Sequence, residues 1–536
     1  MEHQHEHKAR SEGKDGQFDY LVIGTGLCES MVAYHLTASD PAATVIQVDP
    51  SSVYGQSWAA VQLAQLQQAT FTTAAWSAFC SATTTGDSSS SSSSSTSSSS
   101  SSYALSLQPT LVPARGAFVD ALIAANVAPY LSFQLLHHFI LAQPDHGHHS
   151  LLSLPGSKHD LFRMPELSLL DKRLLMRFFQ SIQDPDPLVS PSPDQSLSEY
   201  LSRPPFSITN PRLISIMGAL ALSAQEDPAA LLVVSRLKKL LNAIGRHPSA
   251  TVSALPAALL LGEYGGGGEW AEGFVRAAAV TGRAAQVLGR PILSLVQEAT
   301  EAEGSRRWTI RLGRQTGHAV GGEDELEFSA SRLLLSQEYL SLLDHPAIHP
   351  GPTAYTICRT IAILGPPALD QLVHKLDTVP SSSVESRGGH SLVVFPAEDA
   401  GQQPVHALVV GPESGSCPDD QQVVYLSSII LTNPSDAPHT APDPVARLQP
   451  ILHRLIHSAS SEVPEHILRC SAFYSQRVSH PPPDSSLPSH TWLVPSWPAD
   501  FERAGFAEVV EWAAETSQNV ADLASKRVPA ETIHLE

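Results

Sequence analysis

A short apolar run that leads into a glycine turn restricts the fold of this chain more than any other feature. Residues 19–23 (DYLVI) have the composition of a buried parallel strand, and Gly24-Thr25-Gly26 follows as a tight turn. Residues 27–38 have the composition of a helix, and residues 44–48 form a second apolar run that ends at Asp49. A strand, a glycine turn, a helix, a second strand and an acidic residue within about 30 residues are typical of the βαβ unit of dinucleotide-binding folds.

One position of the GxGxxG pattern is changed. Gly24 and Gly26 match the first two glycines, but Glu29 stands at the third. A helix N-terminus at this point normally offers N–H groups and positive potential to a pyrophosphate. A carboxylate there can satisfy those N–H groups itself, and it would repel a pyrophosphate by about 1 to 4 kcal/mol at about 4 Å, depending on the dielectric. The pattern therefore favours a scaffold that has lost its cofactor over one that binds FAD or NAD. Asp49 stands where the ribose-binding acid belongs, and with Glu29 upstream we interpret it as a turn residue at the strand end.

Composition divides the rest of the chain into segments. Residues 88–102 are serine with a single threonine, a tract that cannot bury apolar area and is expected to be a disordered surface insert. The pattern then turns helical, most clearly at residues 169–182, and becomes β-rich in the second half. We predict an α/β fold, in which an FAD/NAD(P)-binding-like, Rossmann-type domain of several sheets contains an inserted all-helical subdomain. The expected parts are a disordered tail (1–17), the discontinuous α/β domain (18–112 and 226–474), the serine insert (83–102), the helical subdomain (113–225) and a Pro- and Ser-rich C-terminal extension (475–536).

The charge and cysteine content exclude several classes of protein. The chain has 33 Lys and Arg against 53 Asp and Glu, a net charge of −20, so it would repel nucleic acid and would not coat an anionic membrane by charge alone. Its five cysteines lie far apart without a CxxC pair, which argues against a disulfide framework or a thiolate zinc site. No signal peptide and no run of about 18 apolar residues is present, so we expect a soluble, cytoplasmic protein.

The sequence contains no recognisable catalytic centre. Neither a GxSxG elbow nor an HExxH motif occurs, and no group of residues converges on a reaction. The histidines at 146, 148 and 149 lie between Pro and Ser residues and have the context of a loop rather than of metal ligands. We therefore expect no catalytic residues and no metal site.

Three blocks of sequence resemble the Rab escort protein and Rab GDP-dissociation inhibitor superfamily. They are residues 18–30 (FDYLVIGTGLCES), 48–59 (VDPSSVYGQSWA) and 264–276 (YGGGGEWAEGFVR). An acid in place of the third glycine is a trait of this family, whose flavoprotein-like domain has lost its cofactor. The resemblance covers residues 18–515 apart from the serine tract, and it implies that no cofactor is bound.

Two details favour the escort branch of the family. Trp58 follows the Tyr-Gly turn where dissociation inhibitors have small polar residues, and Glu29-Ser30 matches the escort pattern better than the Glu-Cys of the inhibitors. The resemblance implies a non-catalytic accessory component, component A, of Rab geranylgeranyltransferase. Such a protein binds newly made GDP-bound Rab GTPases, presents them to the transferase heterodimer, shields the geranylgeranyl lipid and delivers Rab to membranes through transient contact. The alternatives are a Rab GDP-dissociation inhibitor and, from another class, an FAD-dependent oxidoreductase.

The resemblance also assigns roles to residues. Tyr54, Glu269 and Arg276 match positions of the platform that grips the switch regions of GDP-bound Rab. The vestigial dinucleotide motif consists of Gly24, Gly26, Glu29 and Asp49. The helical subdomain corresponds to the part that receives the lipid and docks the transferase, although the same apolar spacing also suits a helix core. The candidate docking residues are Leu174, Leu175, Phe178, Phe179 and, outside that subdomain, Phe274.

The second and third blocks depart from the family pattern. Val53 and Gln56 stand where Tyr and Gly are usual, and Trp270-Ala271 stands where an apolar residue and Pro are common. These departures put individual contacts in doubt, but not the family.

Overall fold

The structure is a computed structural model in which most of the chain is described. The described residues are 16–67, 76–80, 103–145, 148–155, 158–183, 190–247, 256–299, 306–314, 325–343, 348, 351–365, 389–397, 402–431, 443–459, 467–483, 486–499, 503 and 506–526. The serine insert and nearly all of the expected N-terminal tail lie outside them.

The described residues form helices and strands that we number in chain order. The helices are α1 (Leu27–Ser39), α2 (Leu63–Gln67), α3 (Ala117–Ala124), α4 (Lys158–Arg163), α5 (Leu169–Gln183), α6 (Leu197–Ser202), α7 (Pro211–Leu220), α8 (Ala230–Ala243), α9 (Gly267–Val280), α10 (Pro444–Ala459) and α11 (Glu508–Ser525). The strands are β1 (Gln17–Ile23), β2 (Val45–Asp49), β3 (Ala60–Val61), β4 (Trp76–Cys80), β5 (Leu105–Ser106), β6 (Leu111–Pro113), β7 (Phe133–Leu135), β8 (His138–Asp145), β9 (His148–Ser153), β10 (Leu259–Gly262), β11 (Ala284–Leu288), β12 (Ile292–Ala299), β13 (Arg306–Leu312), β14 (Leu326–Ser336), β15 (Thr353–Leu364), β16 (Ser391–Phe395), β17 (Val405–Val410), β18 (Gln422–Leu431), β19 (Leu468–Ser479) and β20 (Thr491–Val494).

A seven-stranded sheet contains the predicted βαβ unit. Its strand order is β11-β2-β1-β14-β13-β12, with β20 paired to β14. β1 and β2 are parallel, with Tyr20 opposite Val45 and Ile23 opposite Val48, and α1 connects them. Every residue of β2 is buried, as expected for a parallel strand covered on both faces. The predicted strand, glycine turn, helix and second strand are therefore confirmed, together with the α/β fold class.

β14 joins two parts of this sheet because it is eleven residues long. Its first half pairs antiparallel with β13, whose other neighbour is β12. Its second half runs parallel to β1, with Ile23 opposite Leu335, and also pairs with β20. The carboxyl ends of β1, β2 and β14 therefore lie side by side, which is where parallel α/β sheets place their ligand sites.

The second large sheet has eight strands. Its order is β4-β19-β15-β18-β17-β16-β8-β9, and all its pairs are antiparallel except β8 with β16. Helix α10 covers one face with Leu448, Leu452, Leu455 and Ile456, all fully buried. Two small sheets, β6-β10-β7 and β3-β5, complete the strands.

The helices α4 to α8 form a cluster between residues 158 and 243, and their buried side chains belong to the same hydrophobic core as those of α1. Two of them begin at polar caps: Ser196 accepts a hydrogen bond from the Glu199 N–H, and Asn210 accepts one from the Arg212 N–H. The predicted helical subdomain (113–225) differs from this arrangement, because β7, β8 and β9 within it pair into the sheets and α8 lies beyond its end. β8 and β9 are difficult to recognise from the sequence, because this part of the chain is rich in His, Ser and Pro. The two strands pair with each other, and β8 also pairs with β16.

The described part of residues 475–536 contains a strand and a helix that pack into the fold, whereas the sequence predicts a Pro- and Ser-rich extension. β20 pairs with β14, and α11 packs against α1 and α3. Val509, Val510 and Ala513 of α11 are buried, so the helix belongs to the main core. Within the described part of the chain, none of the helices combines the length and apolarity that crossing a bilayer requires.

Candidate functional site

The turn after β1, the turn after β2 and the N-terminus of α9 meet at the carboxyl edge of the seven-stranded sheet. The Gly55 N–H donates to the Thr25 carbonyl oxygen at 3.0 Å, which joins the two turns directly. Gly55 has a φ of +102°, and a Cβ at this position would lie 3.0 Å from the Gly268 Cα of α9. Only glycine fits here without displacing the helix, so the Tyr54-Gly55 turn is held close against the first turn of α9.

The space in front of the glycine turn is filled by the protein's own side chains. The Gly26 N–H donates to Gln56 Oε1 at 2.9 Å. A Cβ on Gly26 would lie 2.6 Å from the same oxygen and would overlap the Glu29 carboxylate, while one on Gly24 would lie 2.9 Å from the Ser336 Cβ. The backbone N–H that would face a pyrophosphate in a dinucleotide-binding turn is therefore already paired.

Asp49 is also committed to contacts within the protein. Its Oδ2 accepts hydrogen bonds from the Thr25 N–H (2.7 Å) and Thr25 Oγ1 (2.6 Å), and its Oδ1 accepts from the Ser51 N–H (2.8 Å) and the Tyr339 hydroxyl (2.8 Å). The residue is fully buried, so it has no room to bind a ribose. We interpreted it as a turn residue at the strand end; the structure shows that it joins both turns to the segment after β14.

Two buried glutamates lie at the same place. Burial raises the pKa of Glu29 to about 8, against the opposing effect of hydrogen bonds from Ser336 and from its own backbone N–H. Burial likewise raises the pKa of Glu338 to about 7, with a hydrogen bond from Ser57 acting in the other direction. A pyrophosphate would have to displace Gln56 and then lie against these carboxyl groups and Asp49. The residues of this site therefore do not fit FAD or NAD.

The expected platform residues lie on and beside the outer face of α9. Glu269 and Arg276 are exposed and seven residues apart, which places them on one side of the helix. Tyr54 is half-buried on the adjoining turn, and its pKa is raised by burial and by the nearby charge of Glu272. The structure thus brings the three residues to one continuous surface.

Two further residues belong to this surface and were not identified from the sequence. Glu272 is exposed on α9 between Glu269 and Arg276, and the three- and four-residue spacing was a usable signal. Tyr130, in the turn before β7, lies under the Arg276 guanidinium, whose carbon is 4.3 Å from the centre of the ring. Tyr130 is 57% exposed, so the pair presents a cation supported by an aromatic face. No local pattern joins residues 130 and 276.

The candidate docking residues are not a surface. Leu175, Phe178 and Phe274 are fully buried in the main core. Leu174 and Phe179 are half-buried and pack against that core. For Leu175 and Phe178 this agrees with the interpretation as a helix core, because the apolar stripe of α5 faces the other helices. Phe274 is buried on α9. A docking role for the five residues stays a prediction.

The exposed apolar side chains of the helical cluster are different ones. Phe162 near the end of α4 is 47% exposed, and Leu169 and Leu170 at the start of α5 are 69% and 64% exposed. Large apolar side chains with this exposure, close together in sequence, are typical of a contact surface.

A cavity of about 370 Å³ lies between α7, α8, α11 and the start of α3. Its walls are mostly apolar, with Leu220 and Leu240 among them, and its rim carries the ion pair of Lys239 and Glu508 at 3.3 Å. Of the described residues that line it, none is a candidate docking residue.

Comparison with known proteins gives consistent similarities. The family model described as GDP dissociation inhibitor matches residues 14–307, more than half of the chain. The protein named Rab proteins geranylgeranyltransferase component A of Candida albicans is 26% identical over 279 residues, covering 49% of this chain and 40% of that protein. The protein of the same name from Saccharomyces cerevisiae is 23% identical over 452 residues, covering 83% of this chain and 66% of that protein. The chain therefore spans less than two thirds of the length of both relatives.

A solved structure extends the comparison to the fold. The Rab GDI of Plasmodium falciparum is 15% identical and superposes with a TM-score of 0.60, covering 94% of this chain and 98% of that one. At this identity the likeness concerns the fold alone.

Proposed function

The chain belongs to the GDP dissociation inhibitor family, and we propose that within it the protein acts as a Rab escort protein. It binds newly made, GDP-bound Rab, presents it to Rab geranylgeranyltransferase and delivers the prenylated Rab to membranes. In this role it supplies no catalytic residue and binds no cofactor. The observation that carries the proposal is the nucleotide site filled by Gln56 and Glu29, directly beside an exposed helix face.

The platform for Rab is proposed at Tyr54, Glu269 and Arg276. The chemistry suits a protein partner, because an aromatic side chain and a guanidinium are frequent anchors of interfaces, and a carboxylate can pair with basic residues of Rab. The Tyr130 ring restricts the Arg276 guanidinium before binding, which lowers the entropy lost when Rab is bound. Their placement on and beside one helix face supports this assignment.

Arg276→Ala is expected to weaken the binding of Rab·GDP by more than about 1 kcal/mol, at least fivefold in Kd, as truncation of an interface anchor does. Titration calorimetry with purified Rab·GDP measures the effect. Arg306→Ala is the control, since Arg306 is also exposed but lies on β13. An affinity equal to that of wild type would remove Arg276 from the platform.

A reconstituted prenylation assay distinguishes the escort protein from a dissociation inhibitor. Unprenylated Rab, the transferase heterodimer and geranylgeranyl diphosphate are mixed with and without this chain. The proposal requires that Rab is modified only when the chain is added. Extraction of prenylated Rab from membranes without any support of prenylation would instead identify a dissociation inhibitor.

The alternative that the protein is an FAD-dependent oxidoreductase is tested by its flavin content. Protein purified with added FAD and freed of unbound ligand should show no visible flavin absorbance, because Gln56 and the buried carboxyl groups occupy the site. Stoichiometric flavin in the purified protein would contradict the escort proposal.

The transferase is proposed to dock on the exposed apolar patch formed by Phe162, Leu169 and Leu170. The double variant Leu169→Ser/Leu170→Ser should reduce the rate of prenylation about tenfold or more, while Rab·GDP binding stays unchanged, because the loss of two apolar contacts costs a few kcal/mol. The rate is measured at limiting transferase. Leu523→Ser is the control, since Leu523 is 54% exposed on α11. Equal rates for the double variant and wild type would exclude this docking surface.

A further inference from the structure

We propose that Gln56 positions Tyr54 by taking the place of the missing pyrophosphate at the glycine turn. The inference deepens the proposed function, since it concerns the platform residue Tyr54. Its starting point is the Gln56 side chain, whose Oε1 accepts a hydrogen bond from the Gly26 N–H in front of the glycine turn. The side chain is 8% exposed and is directed into the protein at the carboxyl edge of the sheet.

The side chain of Gln56 connects the turn after β2 directly to the glycine turn after β1. Its Oε1 accepts from the Gly26 N–H at 2.9 Å, while the Gly55 N–H next to it donates to the Thr25 carbonyl oxygen at 3.0 Å. Tyr54 is the residue before Gly55, so both ties act within two residues of it. Without the amide oxygen, the Gly26 N–H would remain buried and unpaired, and the two turns would be joined only by the Gly55–Thr25 backbone bond and by the hydrogen bonds of Asp49.

The backbone of Gln56 shows that this contact is maintained against a conformational cost. Its φ is +49°, in the left-handed region that non-glycine residues avoid at a cost of about 1 to 3 kcal/mol. Glycine at this position would adopt the same φ without that cost. A glutamine there is explained by what its side chain contributes, and the contact it makes is the one that a phosphate oxygen makes in a nucleotide-binding turn.

The same chain supplies a matched comparison. Gln47 on β2 is also a buried glutamine that contacts the glycine turn, with its Nε2 donating to the Gly24 carbonyl oxygen at 2.8 Å. It lies on β2, seven residues before Tyr54, and makes no described hydrogen bond to residues 54–58. Loss of either side-chain amide removes one buried hydrogen bond. Of the two glutamines, Gln56 is the one whose hydrogen bond connects the two turns.

The experiment uses the full chain with Gln56→Met and Gln56→Gly, and with Gln47→Met as the control. Met keeps the length of the side chain without its acceptor, and Gly relieves the backbone cost, so at least one variant keeps the fold. Hydrogen exchange of the amides of residues 54–58, measured without Rab, should be about tenfold faster in both Gln56 variants and unchanged in Gln47→Met. The Kd for Rab·GDP should rise about five- to tenfold in the Gln56 variants only.

A double variant decides whether Gln56 acts through Tyr54. Gln56→Met combined with Tyr54→Ala should bind Rab·GDP no more weakly than Tyr54→Ala alone. Unchanged exchange in both Gln56 variants would overturn the inference, and so would equal effects of Gln56→Met and Gln47→Met. If wild type does not bind Rab·GDP, the proposed function fails, and the exchange rates still decide whether Gln56 holds the turn.

Discussion

Replacing Gly116 with alanine is expected to lower the free energy of unfolding by about 2 to 4 kcal/mol. Glu511 of α11 reaches across to the start of α3, where its Oε2 accepts from the Ala117 N–H at 2.6 Å and its Oε1 from the Phe118 N–H at 3.3 Å. A Cβ on Gly116 would lie 2.5 Å from both Cδ and Oε1 of that carboxylate. The carboxylate would have to move away, and two N–H groups of the helix N-terminus would lose their acceptor. Urea denaturation followed by circular dichroism measures the loss.

The mechanism is tested by a double-mutant cycle. Glu511→Ala alone should cost about 1 to 3 kcal/mol, because it removes the cap of α3. In the Gly116→Ala/Glu511→Ala variant the new methyl group no longer meets the carboxylate, but alanine still adopts the φ of +154° at a cost of about 1 to 3 kcal/mol. The double variant should therefore lose less than the sum of the two single losses. Simple addition of the two losses would contradict the contact. Gly218→Ala is the control, since a Cβ there meets no atom within 4 Å, and this variant should be at least as stable as wild type because alanine favours the helix.

Glu29→Gln is expected to stabilise the protein at pH 8 by about 1 to 3 kcal/mol and to leave it nearly unchanged at pH 5. The folded protein raises the pKa of this carboxyl group from 4.5 to about 8. Between these values the folded state holds a proton that the unfolded state has released. Stability therefore falls as the pH rises, by up to about 1.4 kcal/mol per pH unit for one such group. Glutamine is neutral in both states and removes this slope.

Denaturation curves at pH 5, 6, 7 and 8 check the sign as well as the size. Wild type should lose stability from pH 6 to pH 8, and Glu29→Gln should lose less, with the remainder due to groups such as Glu338. Glu166→Gln, at an exposed position, should follow the wild-type curve. Parallel curves for Glu29→Gln and wild type would show that Glu29 ionises normally in the folded protein.

Two buried histidines give the opposite slope on the acidic side. Burial lowers the pKa of His390 to about 3 and that of His406 to about 4, helped by the charges of His137 and Arg236 respectively. The folded protein keeps both imidazoles neutral, whereas the unfolded chain protonates them below about pH 6.5. Their contribution is lost as the pH falls, so the carboxyl and imidazole groups together place the highest stability in mildly acidic solution.

The parts of the fold that depend on local pattern could be predicted from the sequence. The βαβ unit is encoded by contiguous apolar runs and two glycines, and α5 by the regular spacing of Leu175, Phe178 and Ile182. Ser196 could be predicted as a helix cap from its distance to Glu199 alone. The acid at position 29 is the one local signal in the sequence that predicts a glycine turn unsuited to a dinucleotide.

The remaining features depend on contacts between distant segments. Tyr130 reaches Arg276 only because β7 and α9 are brought together through β10, and no periodicity in the sequence reports that contact. The same holds for the buried stripe of α5, since amphipathic spacing identifies the apolar face of a helix without showing what covers it. Gln56 is a third case, because its left-handed backbone and its bond to Gly26 are not visible in the residue type.

The position of α11 has a consequence for how the chain acquires its structure during synthesis. Cys28 on α1 lies 3.9 Å from the carbonyl oxygen of Ala513, a separation of 485 residues along the chain, and β1 is paired with β14 and not only with its sequence neighbour β2. During synthesis, α1 and β1 therefore wait with apolar surface open until partners as far as 485 residues along the chain have left the ribosome. The unit of β1 and α1 is expected to need protection by a chaperone until α11 is made. A chain that stops at residue 507 should leave the side of α1 that faces α11 uncovered, and α3 without its cap.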